Sequence, residues 1–353
     1  MSQSEDTAPA DDGAEEKPAS GVDPKATHVV IQWKHDQPLI NCRFDPQARY
    51  IFATSEDRTI QRWDVTSGEK VGMSGHDSWA RGIAFSKDGE TMITSGYDDT
   101  LIWWKTADAA PEPINSVQAH KGWIRAIAVS PDGTLIASGG NDKVVRIWNL
   151  ADGSPVREMT GHEKDIYSVH FHPDGEFLMT GDLAGQIKQW EVATGKMVRN
   201  FDGKALHTYN GGQQVDYGGV RSISFSPDLK TMACGGLHKA TNPLGAVNEP
   251  LVVLFDWESQ EIKKSLVGEG TKGIAWRTVY HPEGFLIGAS GGSGGGFLLF
   301  WKPDQEKEFH KLKLPDTARE MDLHPDNVQI ATVHYDRHLR ISKMIPKMEE
   351  KKG

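Results

Sequence analysis

Four arginines stand at matching places in a chain that repeats itself. Guanidinium groups gathered at one place bind carboxylate or phosphate through paired hydrogen bonds. They are Arg81, Arg125, Arg221 and Arg319, and the same column of the repeat holds Ile40, Tyr167 and Trp276. Each lies two residues before the first apolar position of a segment in which large apolar and small residues alternate, as at Ile83 and Phe85 or Ile127 and Val129. Alternation calls for apolar side chains in this column. A local rule broken at the same place in several repeats is where function is expected. Two positions earlier stand Trp79, Trp123 and Asp165, and further along Tyr97, Asn141 and Tyr335. Arg and Trp are enriched among interface hot spots. The competing reading is packing, in which each Arg pairs with an acid of the adjacent unit or stacks on a Trp.

Other residues invite chemistry with less support. His170 and His172 put two imidazoles on one strand face, a possible metal geometry, but no third ligand stands at a convincing spacing. The run Gly291 to Gly296 resembles a phosphate loop in composition only. It joins two strands and lacks the Lys-Ser/Thr pair and the helix start that make such loops bind phosphate, so a floppy turn is expected. No metal and no cofactor is expected.

The elements that must position these residues follow from the repeat. Trp63, Trp104, Trp148 and Trp190 fall 41, 44 and 42 residues apart, and His35, His76, His120 and His162 keep the same step. Between them recurs a turn phrase, seen at Ser86 to Gly89, Ser130 to Gly133, His172 to Gly175, Ser226 to Leu229, His281 to Gly284 and His324 to Asn327, with Asp45-Pro46 opening the series. Seven such units suit four short strands each, the period of a propeller blade. Pro-Asp-Gly turns one strand into the next, Pro setting φ and Gly allowing positive φ. No segment longer than a turn shows helical periodicity. The expected fold is all-β: a single seven-bladed β-propeller over residues 27–345.

Outside it, residues 1–26 carry Glu5, Asp6, Asp11, Asp12, Glu15, Glu16 and Asp23 against Lys17 and Lys25, with little apolar surface to offset ordering. They read as a disordered acidic tail, and residues 346–353 as a charged C-terminal tail. The net charge of −10 argues against general nucleic-acid or anionic-membrane binding. No apolar run approaches the ~20 residues of a membrane-spanning helix, and the residues after Met1 do not read as a secretory signal. Cys42 and Cys234 read as buried thiols of a reducing, cytoplasmic setting.

With Gly75-His76, Ala119-His120, Gly161-His162, Trp63-Asp64 and Trp148-Asn149 in register, the sequence resembles the WD-repeat family over roughly residues 27–345. The resemblance implies a hydrogen-bonded chain of His, Ser or Thr, Asp and Trp in each complete blade. Blade one would use His35, Thr54, Asp57 and Trp63, blade two His76, Thr94, Asp98 and Trp104, and blade three His120, Ser138, Asp142 and Trp148. These sets imitate a hydrolase triad, but a catalytic triad does not recur every 41–44 residues. Blade four has Ala184 at the Asp position, blade five has Phe255 for Trp, and blade seven has Ser342 for Trp, so blades one to three should be the rigid part. The family also implies that the orphan strand Val29 to Trp33 completes the last blade, burying Val30 and Trp33.

In the family, the arginine column and its flanking positions line the upper mouth of the channel and often contact partners. Blade five adds length at 203–219 and 237–250 on that rim. Long loops in compact domains are usually functional or disordered. The expected function is a non-catalytic interaction scaffold, a monomeric propeller within a larger complex, holding a protein or peptide with an acidic or phosphorylated element. The alternative is a lactonase-like hydrolase with a channel site, for which Arg43, His170, Glu320 and Asp322 are the candidate groups.

Overall fold

The protein is described from a computed structural model, which covers residues 21–241 and 248–347. Six repeats fold into four-stranded antiparallel sheets whose strands run in chain order from the channel outward, and the seventh sheet takes its outer strand from the N-terminal segment. In blade three these are Ile124–Val129, Leu135–Gly140, Val144–Asn149 and Pro155–Thr160. The turn phrase makes the first hairpin: Gly133 takes φ +79°, and Ser130 Oγ accepts the Leu135 N–H at 2.9 Å. Seven inner strands stand side by side in a ring, from Leu39–Phe44 of blade one to Ala318–Leu323 of blade seven, and the last lies against the first. Among the described residues no α-helix occurs, only two 3-10 turns. The fold is a seven-bladed β-propeller.

The core is shared between blades. Seven apolar clusters lie at the seven contacts between neighbouring blades. Between blades one and two, for example, Phe52, Ile60 and Met73 pack on Ile83, Met92 and Trp104. Cys42 and Cys234 sit in two of these clusters as free thiols.

Ring closure pairs His28–Lys34 antiparallel with His338–Lys343, with Val29 opposite Ser342 and Trp33 opposite Leu339. Val30 falls at a bulge in this ladder and is 40 % exposed, contrary to expectation. Val29, Ile31 and Trp33 do the packing, and the Trp33 ring stacks on Trp63 at 6.2 Å. Residues 21–26 also depart from the expected tail. Asp23 donates its N–H to Met344 O at 2.8 Å and caps the turn Pro24–Ala26, while Val22 packs on the core between blades six and seven. Charge grouped these residues with the tail, but backbone pairing at a sheet end holds them. The rest of both expected tails, residues 1–20 and 348–353, lies outside the described residues.

The hydrogen-bonded chains hold the second and third strands of a blade to the loop that enters it. In blade three, Trp148 Nε1–H donates to Ser138 Oγ (2.8 Å), Ser138 Oγ meets His120 Nε2 (2.7 Å), and His120 Nδ1 meets Asp142 (2.9 Å). Directed this way, every proton has one acceptor. Blade two repeats the chain through Trp104, Thr94, His76 and Asp98. Burial pushes the Asp98 carboxyl up, but the hydrogen bonds and charge of His76 and the hydroxyl of Thr100 outweigh it and bring the pKa down to about 2.

Two expectations need correction. Blade four is complete: His162 bonds Thr180 and Asp182 at 2.7 and 2.8 Å, and Trp190 bonds Thr180. Asp182, at the end of its strand, supplies the carboxylate that Ala184 lacks. The division into rigid and loose blades therefore fails at blade four. Of blades one to four, blade one is the broken copy. His35 meets Asp57 through Nε2 at 2.8 Å, and Thr54 Oγ1 is buried without a partner. In blade seven His334 bonds Thr332 at 2.8 Å, and Asp336 pairs with Arg340.

Three outcomes follow. A chain beginning at Gly21 melts as the full chain does, whereas one beginning at His35 exposes the edge of blade seven and does not fold solubly; coincident thermal melts would contradict ring closure. Asp142→Ala costs about 2–4 kcal/mol, because it strips an acceptor from buried donors and from Arg146, while Asp304→Ala on an exposed loop stays within about 0.5 kcal/mol; urea midpoints separate the two. Asp98 has a depressed folded pKa, so its contribution is complete above about pH 4 and fades as pH falls towards 2. The stability gap between wild type and Asp98→Asn then narrows over that window in acid melts.

Candidate functional site

The arginine column owes its direction to backbone irregularity. In blade three the ladder pairs Ile124 with Gly140 and then Ala126 with Gly139, leaving Arg125 as the extra residue of a β-bulge. Arg81, Ile40, Tyr167, Trp276 and Arg319 are the extra residues of the same bulge in their blades. Arg221 stands just before its shorter strand, its N–H bonded to Gly235 O at 2.8 Å. A bulge resets the two-residue period and re-aims a side chain. The column therefore does not share the phase of Ile83 and Ile127, and the alternation argument for it was wrong in mechanism. Gly140 makes the bend possible: a Cβ there would lie 1.9 Å from the Trp123 carbonyl oxygen.

The bulged residues converge on the channel mouth. A cavity of about 170 Å³ is lined by Ile40, Trp79, Arg81, Tyr97, Arg125, Tyr167, Arg221, Trp276 and Arg319. Aromatic rings and guanidinium groups alternate around it. Tyr97 stacks on Trp123 at 4.3 Å and on Trp79 at 6.2 Å. The Arg125 guanidinium lies 5.3 Å from the Trp123 ring and 4.4 Å from Tyr167, and Arg221 lies 3.9 Å from Tyr167 and 5.5 Å from Trp276. Trp123, Asn141 and Tyr335 stand beside the cavity instead of lining it. Asn141 Oδ1 accepts from Arg125 Nε at 2.6 Å, and Tyr335, 59 % exposed, lies under Arg319 at 5.7 Å.

The packing reading holds for some of these cations and not for others. Arg319 pairs with Glu56 of the adjacent blade at 2.6 Å. Arg125 is braced by its stack and lies 4.0 Å from Asp165. Among the described residues, the Arg81 guanidinium bonds only the Ile40 carbonyl, at 3.3 Å. Neither Arg81 nor Arg221 forms an ion pair among the described residues. Burial, with Arg125 and Arg81 nearby, draws the Arg221 pKa down to about 10.

Below the mouth the channel wall carries Arg43, His170, Arg277, Glu320 and Asp322. Arg43 stands 3.6 Å from Glu320, and burial pushes the Asp322 carboxyl up. Arg277 was missed by the sequence reading. The signal was a charged residue in the position held elsewhere by Gly82, Ala126, Ser168 and Ser222. Burial and Arg277 hold His170 neutral, near pKa 3. His172 is committed to its turn and stacks on Trp257 at 4.7 Å. Among the described residues no cluster of three metal-ligating side chains occurs.

The glycine run is not a floppy turn. It forms a two-residue hairpin with Gly292 paired to Gly295. A Cβ at Gly291 would meet Ala318 O at 1.9 Å, and one at Gly296 would meet Asp316 O at 2.0 Å, so the glycines let blade seven approach. The first blade-five insertion is ordered too, as the turn Lys204–Leu206 and the hairpin His207–Asn210 with Val215–Gly218. Asp216 on it takes His207 and Lys164 at 2.8 and 2.7 Å. The second lengthens two strands, Thr231–His238 and Glu249–Asp256; residues 242–247 lie outside the described residues.

Comparison with known proteins agrees with this architecture. The family model "WD domain, G-beta repeat" matches residues 28–64, 69–105, 111–149 and 153–191. An uncharacterized WD repeat-containing protein of Schizosaccharomyces pombe is 37 % identical over 67 residues, 19 % of this chain and 16 % of that protein. The apoptotic protease-activating factor 1 of Homo sapiens is 32 % identical over 77 residues, 22 % of this chain and 6 % of its own. The nuclear distribution protein nudF of Emericella nidulans is 31 % identical over 81 residues, 22 % and 18 %. The matched stretches cover less than a fifth of these relatives' lengths. Four matched repeats, three further blades of the same build and the shared His–Ser/Thr–Trp bonding place this chain in the WD-repeat β-propeller family.

Proposed function

We propose that this propeller is a non-catalytic interaction scaffold that seats an acidic or phosphorylated element of a protein partner on its channel mouth. The observation that carries the reading is a solvent-facing surface of aromatic rings interleaved with under-neutralised guanidinium groups. Trp79 and Trp123 are 40 and 45 % exposed, and Arg81 and Arg221 have no carboxylate partner among the described residues. Stacked rings offer flat apolar area at small entropic cost, and guanidinium adds paired donors for carboxylate or phosphate. A non-catalytic role also suits the buried His and hydroxyl pairs. Ser138, Thr94 and Thr180 already accept an indole N–H and bond an imidazole, which leaves no free nucleophile in those sets.

The test is quantitative capture from the native host with the full chain, compared with Trp79→Ala/Trp123→Ala and Arg81→Ala/Arg125→Ala. Each double substitution lowers partner affinity at least about tenfold, leaves the melting temperature within a few degrees, and wild-type binding weakens as salt is raised. Unchanged recovery by both variants would refute the mouth as the binding site.

A further inference from the structure

The mouth accounts for only part of the channel's positive charge. Immediately beneath it lies a second cavity of about 60 Å³, lined among others by Arg43, Arg81, Arg125, Arg221 and Arg277, with Glu320 as its one carboxylate. Five guanidinium groups from five blades thus face one small space, in a chain of net charge −10. Glu320 is taken up by Arg43 at 3.6 Å. Arg277, like Arg81 and Arg221, forms no ion pair among the described residues. The Nε–H groups of both Arg221 and Arg277 are buried without a hydrogen-bond partner among the described residues. Two orphaned, charged donors in one throat are a cost that packing does not explain, because like charges repel most where water is scarce. Their charges also weigh on the surroundings: burial first and Arg43 next draw the Arg277 pKa down.

We propose that the throat is a binding site for one small multivalent oxyanion of the phosphate class, held between Arg81, Arg125 and Arg221 at the mouth and Arg277 below them. The space is that of a few waters, too small for a nucleotide. Donors arrive from five blades and from different levels of the inner strands, which suits the tetrahedral oxygens of phosphate better than the flat pair of a carboxylate. Guanidinium is also the group that bonds such oxygens in pairs. The site shares Arg81, Arg125 and Arg221 with the mouth but needs neither Trp79 nor Trp123, which line or flank the mouth alone.

The experiment titrates the full chain with orthophosphate against chloride at equal ionic strength, by calorimetry and by thermal melting. The expected result is one phosphate per chain, a saturating rise in melting temperature, and affinity weakened at least tenfold in Arg221→Gln and in Arg277→Gln. Without phosphate both variants melt no lower than wild type, because each removes an unsatisfied cation. Trp79→Ala, which touches the mouth alone, keeps the phosphate affinity even if partner capture is lost. N-acetyl-O-phosphoserine amide separates the two sources of the anion. If it binds, and loses affinity in the same variants, the throat accepts a phosphoryl group carried by a partner; if orthophosphate alone binds, the ligand is the free ion. Phosphate also stabilises proteins generally by exclusion from their surface. A rise of equal size in wild type and both Gln variants, or no stoichiometric binding, overturns the proposal.

Discussion

A ring of sheets has no interior that belongs to one sheet. Each blade buries its two faces only against its neighbours, as the seven inter-blade clusters demonstrate. Every contact therefore depends on the ring being closed. Closure rests on the pairing of His28–Lys34 with His338–Lys343, which joins the two ends of the propeller in one sheet and hides the edge of the last blade. The stacking of the half-buried Trp33 on the buried Trp63, and the cluster between blades seven and one, exist only because of that pairing.

Closure also creates the channel, and with it the electrostatics of the molecule. Seven inner strands bring residues far apart in sequence to within one cavity. Arg43, Arg81, Arg125, Arg221 and Arg277 come from five blades and meet under a single mouth. An isolated blade would leave each of these side chains in solvent, where a guanidinium costs nothing. In the ring they crowd together, and the protein meets the cost unevenly. Arg319 has Glu56 and Arg43 has Glu320, whereas Arg221, with no carboxylate partner among the described residues, lies against the rings of Tyr167 and Trp276. Cation–π contact moderates a desolvated charge but does not neutralise it.

The polar chains within blades do a different job from the channel groups, although both contain histidine. His76, His120 and His162 each bond a hydroxyl and a carboxylate, and their hydroxyls are held by indole N–H groups. Each chain satisfies donors at the point where a loop enters a blade, so it fixes the loop that carries the mouth residues. Trp123 follows His120 by a few residues, and its carbonyl accepts the Asn141 N–H, next to Asp142 of the same chain. Structural bonding thus sets the position of the candidate binding surface without taking part in it.

Sequence alone determined what repeats. The 41–44-residue step of Trp and His, the turn phrases and the alternating inner strands suffice for seven antiparallel blades, because these patterns reflect local sterics and burial that every copy meets separately. They also marked the Arg81, Arg125, Arg221 and Arg319 column, though through a phase argument that the bulges at those positions overturn. What the sequence left open was whatever depends on two segments meeting across a gap. Asp182 supplies the carboxylate that Ala184 lacks, Gly291 and Gly296 admit blade seven, and Arg277 turns into the throat below Arg221. None of these has a periodic signal, since each exists in one blade only. Their roles were decided by tertiary structure, where ring closure sets which side chains share a space, and so which of their charges and hydrogen bonds are met.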